Sequence, residues 1–431
     1  MTPLVVLIVA SALLGYGLIA RRLDSSMVTA PMLFAGIGWA VGSGGTGLVH
    51  VEADSHAVRH LVEATLVLVL FTDASRVRFS SLRRHFGLPL RLLAIGLPLA
   101  VLGGGLAARW VLPGLDWEDA LLLGAMLAPT DAALGQSVVT NPAVPGRIRQ
   151  ALNVESGLND GISVPIFATL LTAAVIADGA SGTGEGGGWG FALRQLALGP
   201  LMGAAVGGAG GWLVERALER GTSTPATARI AALGLAFGAH AAAGLVGGNG
   251  LIAAFVAGLV VGNLTRHAPR ALLSFAEAEG RLLALVAFLL FGAALVPFAL
   301  PRVDLRVALY VGLSLTVVRL APVALATLGL RLSAPSVLFL GWFGPRGLAT
   351  VLFALAVRDE DGLRHADTLC AIATATVGVS VLAHGATAAG WSAAYGRWSE
   401  ALRSRTPAAA ECQTSSGLPT RFGTSRNGKS S

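Results

Sequence analysis

Two carboxylates and a carboxamide lie inside an apolar stretch that is long enough to cross a bilayer. Glu155, Asn159 and Asp160 occur in the segment ALNVESGLNDGISVPIF at 151–167. An ionisable group at the centre of a membrane costs about 2.5–3.5 kcal/mol on insertion scales. On a helix, Ser156 and Asp160 share one face, and Glu155 and Asn159 share the next. The spacing predicts one carboxylate that faces a cavity and one held by protein; the alternative is a buried polar cluster that joins helices.

A proline interrupts the preceding apolar segment, MLAPTDAALG at 126–135. Pro129 removes a backbone donor and clashes with the previous turn, so we expect free backbone groups at membrane depth. Thr130 and Asp131 follow at once and bring hydroxyl, carbonyl and carboxylate oxygens together. Hard cations prefer such oxygen ligands. We interpret the segment as part of a cation site, and the alternative is an ordinary helix kink.

A second break is predicted in FLGWFGPRGLATV, at 339–351. The residues that would interrupt this helix are Gly344, Pro345 and Gly347. Arg346 lies inside the break, and a buried guanidinium needs an anion, for which Glu155 is the candidate. Such a pair would leave Asp160 as the titrating group. One interrupted span in each half of the chain indicates inverted repeats around a central binding site.

A third acidic position occurs in VLFTDASRVRF at 69–79. Asp73 is near the cytoplasmic end of the third predicted span. It either lines the ion path or pairs with Arg76 at the interface, and the sequence does not separate the two.

Composition indicates an all-α polytopic membrane protein. Of 431 residues, 54% are hydrophobic and only 13% charged, whereas about 25% is usual for soluble domains. We predict about thirteen spans of about 18–29 residues each. They are 3–20, 27–50, 57–75, 87–111, 118–140, 150–177, 189–214, 227–245, 247–265, 271–298, 304–330, 334–357 and 366–394.

Arginines concentrate in alternate loops, which the positive-inside rule places in the cytoplasm. The N-terminus is then outside and the C-terminus inside the plasma membrane. We predict a transmembrane domain over 1–395 and a disordered cytoplasmic tail over 396–431. The net charge of +7 comes from these short loops and does not indicate nucleic-acid binding. Nucleotide and phosphate-loop motifs are absent from the sequence, so we expect neither an enzyme nor a cofactor.

Three motifs in this order resemble the cation:proton antiporter-1 family, the sodium/proton exchangers of bacteria, archaea and animals. They are APTDAAL around Thr130 and Asp131, ESGLNDG at 155–161 and GPRG at 344–347. The resemblance covers residues 1–395. It implies a homodimer whose subunits each have a dimerisation domain and a six-helix core, with two crossed, unwound helices expected at Pro129 and Pro345.

The resemblance also implies roles for individual residues. Asp160 matches the ion- and proton-binding aspartate of the family, and Asn159 matches its paired asparagine. Further ion-site positions correspond to Thr130, Asp131 and Ser156. Glu155 and Arg346 match a bracing ion pair, and Asp73 matches an acidic position of some archaeal members.

These residues predict exchange of a monovalent cation for a proton by competition for Asp160 in alternating access. Relatives with Asp-Asp in place of Asn159-Asp160 are associated with electrogenic exchange, so we expect one Na⁺ or Li⁺ per proton and no net charge moved. The alternatives are K⁺/H⁺ exchange on the same fold, a cation channel, and a membrane scaffold or sensor that transports nothing. The expected partners are monovalent cations, protons, the lipid bilayer and a second copy of the chain.

Overall fold

A computed structural model describes residues 3–23, 26–49, 56–77, 87–131, 134–179, 189–264, 269–360, 362–406 and 409–412. These residues form helices and the turns between them, which confirms the all-α class. The helices are α1 (Pro3–Leu23), α2 (Ala30–Val41), α3 (His56–Ser75), α4 (Gly87–Val111), α5 (Trp117–Leu127), α6 (Gln136–Val139), α7 (Gly146–Ala177), α8 (Trp189–Glu219), α9 (Pro225–Leu245), α10 (Gly250–Leu264), α11 (Pro269–Leu290), α12 (Val296–Ala299), α13 (Leu305–Leu315), α14 (Val317–Ala326), α15 (Ala334–Trp342), α16 (Leu348–Arg358) and α17 (Ala366–Arg405).

Helix lies within each of the predicted spans. Eight helices of the described chain are long and apolar enough to cross a membrane, and three shorter apolar helices accompany them. Some spans are divided: α5 with α6, α13 with α14, and α15 with α16 each occupy one predicted span. The number of crossings, thirteen in our prediction, stays a prediction.

The helices pack as two groups. One contains α4, α5, α7 and α13 to α17, and the other contains α2, α3 and α8 to α11. Small residues allow the close approach within the second group. A Cβ added at Gly258 of α10 would overlap the backbone carbonyl of Phe71 on α3. The two groups meet where α3 contacts α7 and α16.

Two broken helices cross inside the first group. The chain is not helical between Leu127 and the start of α6 within the described residues, nor between Trp342 and Leu348. The Asp131 N–H donates to the Pro345 carbonyl at 2.7 Å, so each break satisfies part of the other. Unpaired backbone groups at membrane depth are stable only with such partners.

The two broken helices run in opposite directions, as the inverted-repeat interpretation requires. Asp119 lies in the first turn of α5, and its carboxylate is 2.7 Å from Nδ1 of His365. His365 directly precedes α17 and follows the end of α16. The start of one broken helix therefore lies beside the end of the other.

Helical structure extends past the tail boundary that we predicted at 395, so this boundary is wrong. The last long helix continues to Arg405, and residues Ala410–Cys412 form a 3-10 turn. The extension is helical because its polar sequence still packs: Ser399 is buried, and Gly396 lies against Ala143. Residues 407–408 and 413–431 of the predicted tail lie outside the described residues.

Candidate functional site

Three polar side chains connect the first break to the middle of α7. The Thr130 hydroxyl is 3.0 Å from the Ser156 hydroxyl. The Asn159 carboxamide donates to Thr130 Oγ1 at 2.6 Å. All three residues are buried. Thr130 and Asn159 are 29 residues apart in the sequence, with α6 and the start of α7 between them. Tertiary structure alone therefore brings them into one cluster.

Asp160 lies on α7 beside this cluster. It is buried, with 7% of its surface exposed, and it follows Ser156 by one helical turn on the same face. Its backbone carbonyl accepts a hydrogen bond from the Ser163 hydroxyl at 2.9 Å. The predicted titrating residue therefore lies one helical turn after Ser156, whose hydroxyl contacts Thr130 of the first break.

Asp131 belongs to both breaks. Its Oδ2 atom accepts a hydrogen bond from the Leu348 N–H at 3.2 Å. Leu348 is the first residue of α16, where unpaired N–H groups and the helix dipole favour a negative charge. The carboxylate thus stabilises the second half-helix from the break in the first one, and its part in ion binding stays a prediction.

Gly347 makes this contact sterically feasible, which leads to a first prediction. A Cβ at this position would overlap the Asp131 carboxylate. We expect Gly347→Ala to displace Asp131 and to reduce cation exchange strongly in vesicles, with the folded protein still recovered from the membrane. Gly378 of α17 has open space around its position, so Gly378→Ala is the matched control. Equal activity of the two variants would contradict the close contact.

Asp73 faces the same helix from α3. It is buried, and a Cβ at Gly157 would be 3.7 Å from the Asp73 Cβ atom. Gly157 directly follows Ser156 of the cluster. The position agrees with a residue beside the ion path, and whether Asp73 takes part in that path stays a prediction.

The predicted ion pair between Glu155 and Arg346 is wrong. Glu155 Oε1 is 2.6 Å from Nη1 of Arg319, and both side chains are 3% exposed. Arg319 lies on α14, in the segment LTVVRLAPVAL, which sequence reasoning passed over. An arginine in the middle of an apolar span was itself a detectable indication, since such residues are rare and usually paired.

Arg346 instead stabilises the breaks through their carbonyl groups. Its Nη1 donates to the carbonyl oxygens of Ala128, Pro129 and Gly344 at 3.2–3.4 Å. Its backbone N–H donates to the Ser380 hydroxyl at 2.7 Å. The broken helices expose these carbonyls beside the guanidinium, and they accept from Nη1 where a carboxylate was predicted. Glu155 then pairs with the other buried guanidinium.

A family model described as "Sodium/hydrogen exchanger, transmembrane" matches residues 8–392. The chain belongs to this family. The resemblance seen in the three motifs is thereby confirmed, and the exchanger domain spans most of the multi-pass chain. The description of the family is that of a transporter.

The names of the curated relatives of this chain specify two different ions. It is 27% identical over 340 residues to the K(+)/H(+) antiporter NhaP of Alkalimonas amylolytica, covering 78% of the chain and 58% of that protein. It is 28% identical over 311 residues to the Na(+)/H(+) antiporter NhaP of Pseudomonas aeruginosa, covering 68% and 71%. The chain therefore spans less than two thirds of the length of the first of these relatives.

A solved structure shares the fold. The sodium proton antiporter MjNhaP1 from Methanocaldococcus jannaschii superposes with a TM-score of 0.69 at 20% sequence identity, covering 89% of this chain and 100% of that one. The likeness supports the helical fold.

Proposed function

We propose that this exchanger-family chain is a secondary antiporter that exchanges one monovalent cation for one proton. The observation that carries the proposal is the crossing of the two broken helices. There, Thr130, Ser156 and Asn159 form one hydrogen-bonded group, with Asp160 buried on the next turn of α7. Hydroxyl, amide and carboxylate oxygens are suitable ligands for a hard monovalent cation.

Competition for Asp160 couples the two fluxes. Protonation removes the negative charge that holds a cation, so the carboxylate carries one or the other. Both loaded states have the same net charge and can pass between the two faces of the membrane, whereas the empty site is charged and passes poorly. Obligatory exchange follows from this difference in free energy between states. Since Asn159 replaces a second carboxylate, exchange is electroneutral.

The transported ion is sodium or lithium in our proposal, with potassium as the alternative. The two named relatives point to different ions at nearly equal identity, 27% and 28%. The oxygen ligands named above bind either cation. Selectivity therefore depends on the size and rigidity of the space around Asp160, which measurements with each ion separate.

A cavity between the two helix groups supports alternating access. It has a volume of about 360 Å³. Thr29, next to α2, and Arg281 of α11 line it from the second group, and Gly385 of α17 lines it from the first. Tyr16 of α1 and Gln136 of α6 complete its lining. The Arg281 guanidinium donates to the Tyr16 hydroxyl at 2.8 Å. We propose that the cavity is the cytoplasmic entrance.

The opposite end of the same interface is held by charged pairs. Arg59 of α3 pairs with Asp359 after α16, and Arg302 is 3.8 Å from Asp367 of α17. The Arg302 guanidinium lies 4.0 Å from the centre of the Phe298 ring. Asp367 and the cavity residue Gly385 are separated along α17 by about 27 Å at 1.5 Å per residue. The helix groups are thus open at one end and joined at the other, as in an inward-facing state.

Reversing one charge of the Arg59–Asp359 pair tests this arrangement. Arg59 and Asp359 have side chains that are 40% and 27% exposed, and exposed pairs contribute about 0.2–1 kcal/mol. We expect Arg59→Glu to lower the apparent affinity for cytoplasmic cation by at most about fivefold, and the added substitution Asp359→Arg to restore it. The measurement is exchange in everted vesicles over a range of cation concentrations.

Arg306→Glu is the control, because Arg306 is exposed at the same end of the helix groups. A reversal at Arg59 with no effect, or one that Asp359→Arg does not repair, would show that the pair does not hold the closed end.

The proposed function itself is tested with everted membrane vesicles that hold a proton gradient and a pH-sensitive dye. Addition of Na⁺, Li⁺ or K⁺ is expected to dissipate the gradient, and the most effective ion is the substrate. A channel would carry current with no strict coupling to protons, and a scaffold would leave the gradient intact. Either result would contradict the proposal.

Orientation and assembly complete the proposal. We infer a plasma-membrane protein with an outer N-terminus and a cytoplasmic C-terminus, because of the distribution of loop arginines. We also infer a homodimer. The first helix contacts the rest of the described chain weakly, with Ala12 as its buried residue, so most of its surface is free for lipid or a second subunit.

A further inference from the structure

The short turn Ala410–Cys412 lies on the ends of two site helices. Glu411 is 2% exposed. Its Oε1 atom accepts hydrogen bonds from the Ser333 N–H at 2.7 Å, the Ser333 hydroxyl at 2.6 Å and the Ser336 hydroxyl at 3.0 Å. The neighbouring Ala410 carbonyl accepts a hydrogen bond from Arg147 at 2.6 Å. A segment from the end of the chain is therefore bound by four hydrogen bonds.

These contacts replace the local cap of α15. Ser333 occupies the N-cap position of this helix, but its side chain makes no local capping hydrogen bond. The hydroxyl donates to Glu411 instead, 78 residues away. A carboxylate at a helix N-terminus satisfies free N–H groups and opposes the helix dipole. Glu411 thus supplies from a distance what a local side chain usually provides.

Both helices held by the turn lead to the candidate site. Along α15, Ser333 precedes the break at Gly344 by about 16 Å at 1.5 Å per residue. Along α7, Arg147 precedes Asp160 by about 20 Å on the same measure. The turn thus bridges the beginnings of the helix that carries Asp160 and of the helix that leads into the second break.

We propose that Glu411 is a positioning residue that sets the spacing between α7 and α15 and thereby the geometry of the cation site. The inference rests on the proposed exchange function for its transport readout. Glu411 touches neither the cation nor Asp160, and acts through the two helices. Without the Glu411 side chain, the residues of the cation site are still present, but their relative positions are less tightly fixed.

Burial raises the pKa of the Glu411 carboxyl, but the hydrogen bonds from Ser333 and Ser336 together lower it by more, so the net pKa is below the ordinary value of 4.5. A depressed pKa means that the stabilisation is present above the unfolded-state value and is lost only as the pH falls through the folded-state value. At neutral pH the carboxylate is charged, and its hydrogen bonds with Ser333 and Ser336 are kept.

The experiment compares Glu411→Ala, Glu411→Gln and Ser336→Ala in the full chain reconstituted in liposomes. For Glu411→Ala we expect the KM for the cation to rise threefold or more, while the maximal rate stays within twofold of the wild type. Glu411→Gln keeps an oxygen acceptor for the same donors and is expected to restore most of the affinity. Glu400→Ala, an exposed carboxylate on α17, is the control.

A thermodynamic cycle separates positioning from general stability. If Glu411 acts through Ser336, the KM of Glu411→Ala with Ser336→Ala equals that of Glu411→Ala alone. A lower melting temperature with an unchanged KM would overturn the proposal, and so would equal loss in the Gln and Ala variants. Should Glu411→Ala not fold, Ser336→Ala carries the KM test.

Hydrogen exchange provides a readout that does not depend on transport. Amides at the start of α15 are expected to exchange faster in Glu411→Ala than in the wild type and in Glu400→Ala. A wild type that exchanges no cation would contradict the proposed function, and the amide protection would still test the contact. Unchanged protection in Glu411→Ala would overturn the contact itself.

Discussion

Asp160→Asn is expected to abolish cation/proton exchange. The substitution keeps the size of the side chain and its place on α7. It removes the carboxylate, which can bind either a proton or a cation. In everted vesicles, Na⁺, Li⁺ and K⁺ should then leave the proton gradient as it is in vesicles without the protein. Size-exclusion profile and melting temperature establish that the variant is folded.

The matched control changes a carboxylate to an amide where it is exposed. Glu400→Gln on α17 is expected to exchange like the wild type. If Asp160→Asn retained exchange at a comparable rate, the competition mechanism would be wrong, and a carboxylate elsewhere, with Asp131 and Asp73 as the next candidates, would have to carry the proton.

Breaking the Glu155–Arg319 pair is expected to have the largest effect on stability. Both side chains are 3% exposed, and their contact of 2.6 Å leaves neither charge near water. Removing one partner of a buried pair costs about 3–5 kcal/mol, because the remaining charge is left without compensation. We expect Glu155→Ala and Arg319→Ala each to lower the melting temperature and the yield of folded protein.

Replacing both partners tests whether the charge itself is the cause. Glu155→Leu together with Arg319→Leu removes both buried charges, and such replacements are often neutral or stabilising. We expect the double variant to recover most of the stability lost in either single variant. Additive losses in the double variant, measured by thermal unfolding in detergent, would show that the two side chains act independently.

Much of the fold was predictable because a membrane restricts the available structures. Backbone groups in hydrocarbon must be satisfied within the segment, so long apolar runs are helices. The same restriction made Pro129 and Pro345 readable as breaks, since a proline at membrane depth has a large local effect. The end of α17 was less predictable, because residues 396–405 are polar in sequence and their helix depends on packing against the rest of the chain.

The partners of the charged residues were not predictable to the same degree. A buried Glu155 requires a cation, and the sequence places several arginines within predicted spans, of which Arg319 and Arg346 are buried in the structure. Choosing between them requires the distances in three dimensions. The Arg346 guanidinium lies among the carbonyls of the breaks, and that of Arg319 pairs with Glu155 at 2.6 Å. The association of Glu411 with Ser333 had no sequence indication, because it joins segments 78 residues apart.

The sequence by itself determined that this chain is an all-α membrane protein with two interrupted helices and a titratable aspartate between them. Hydropathy, proline position and helical spacing are local properties, and the bilayer converts them directly into structure. Only the tertiary structure decided which guanidinium pairs with Glu155, that Asp131 caps the opposite half-helix, and that the turn Ala410–Cys412 binds at the starts of α7 and α15. Those outcomes depend on which distant groups reach each other, and a charge or hydrogen bond is satisfied by the nearest partner in space.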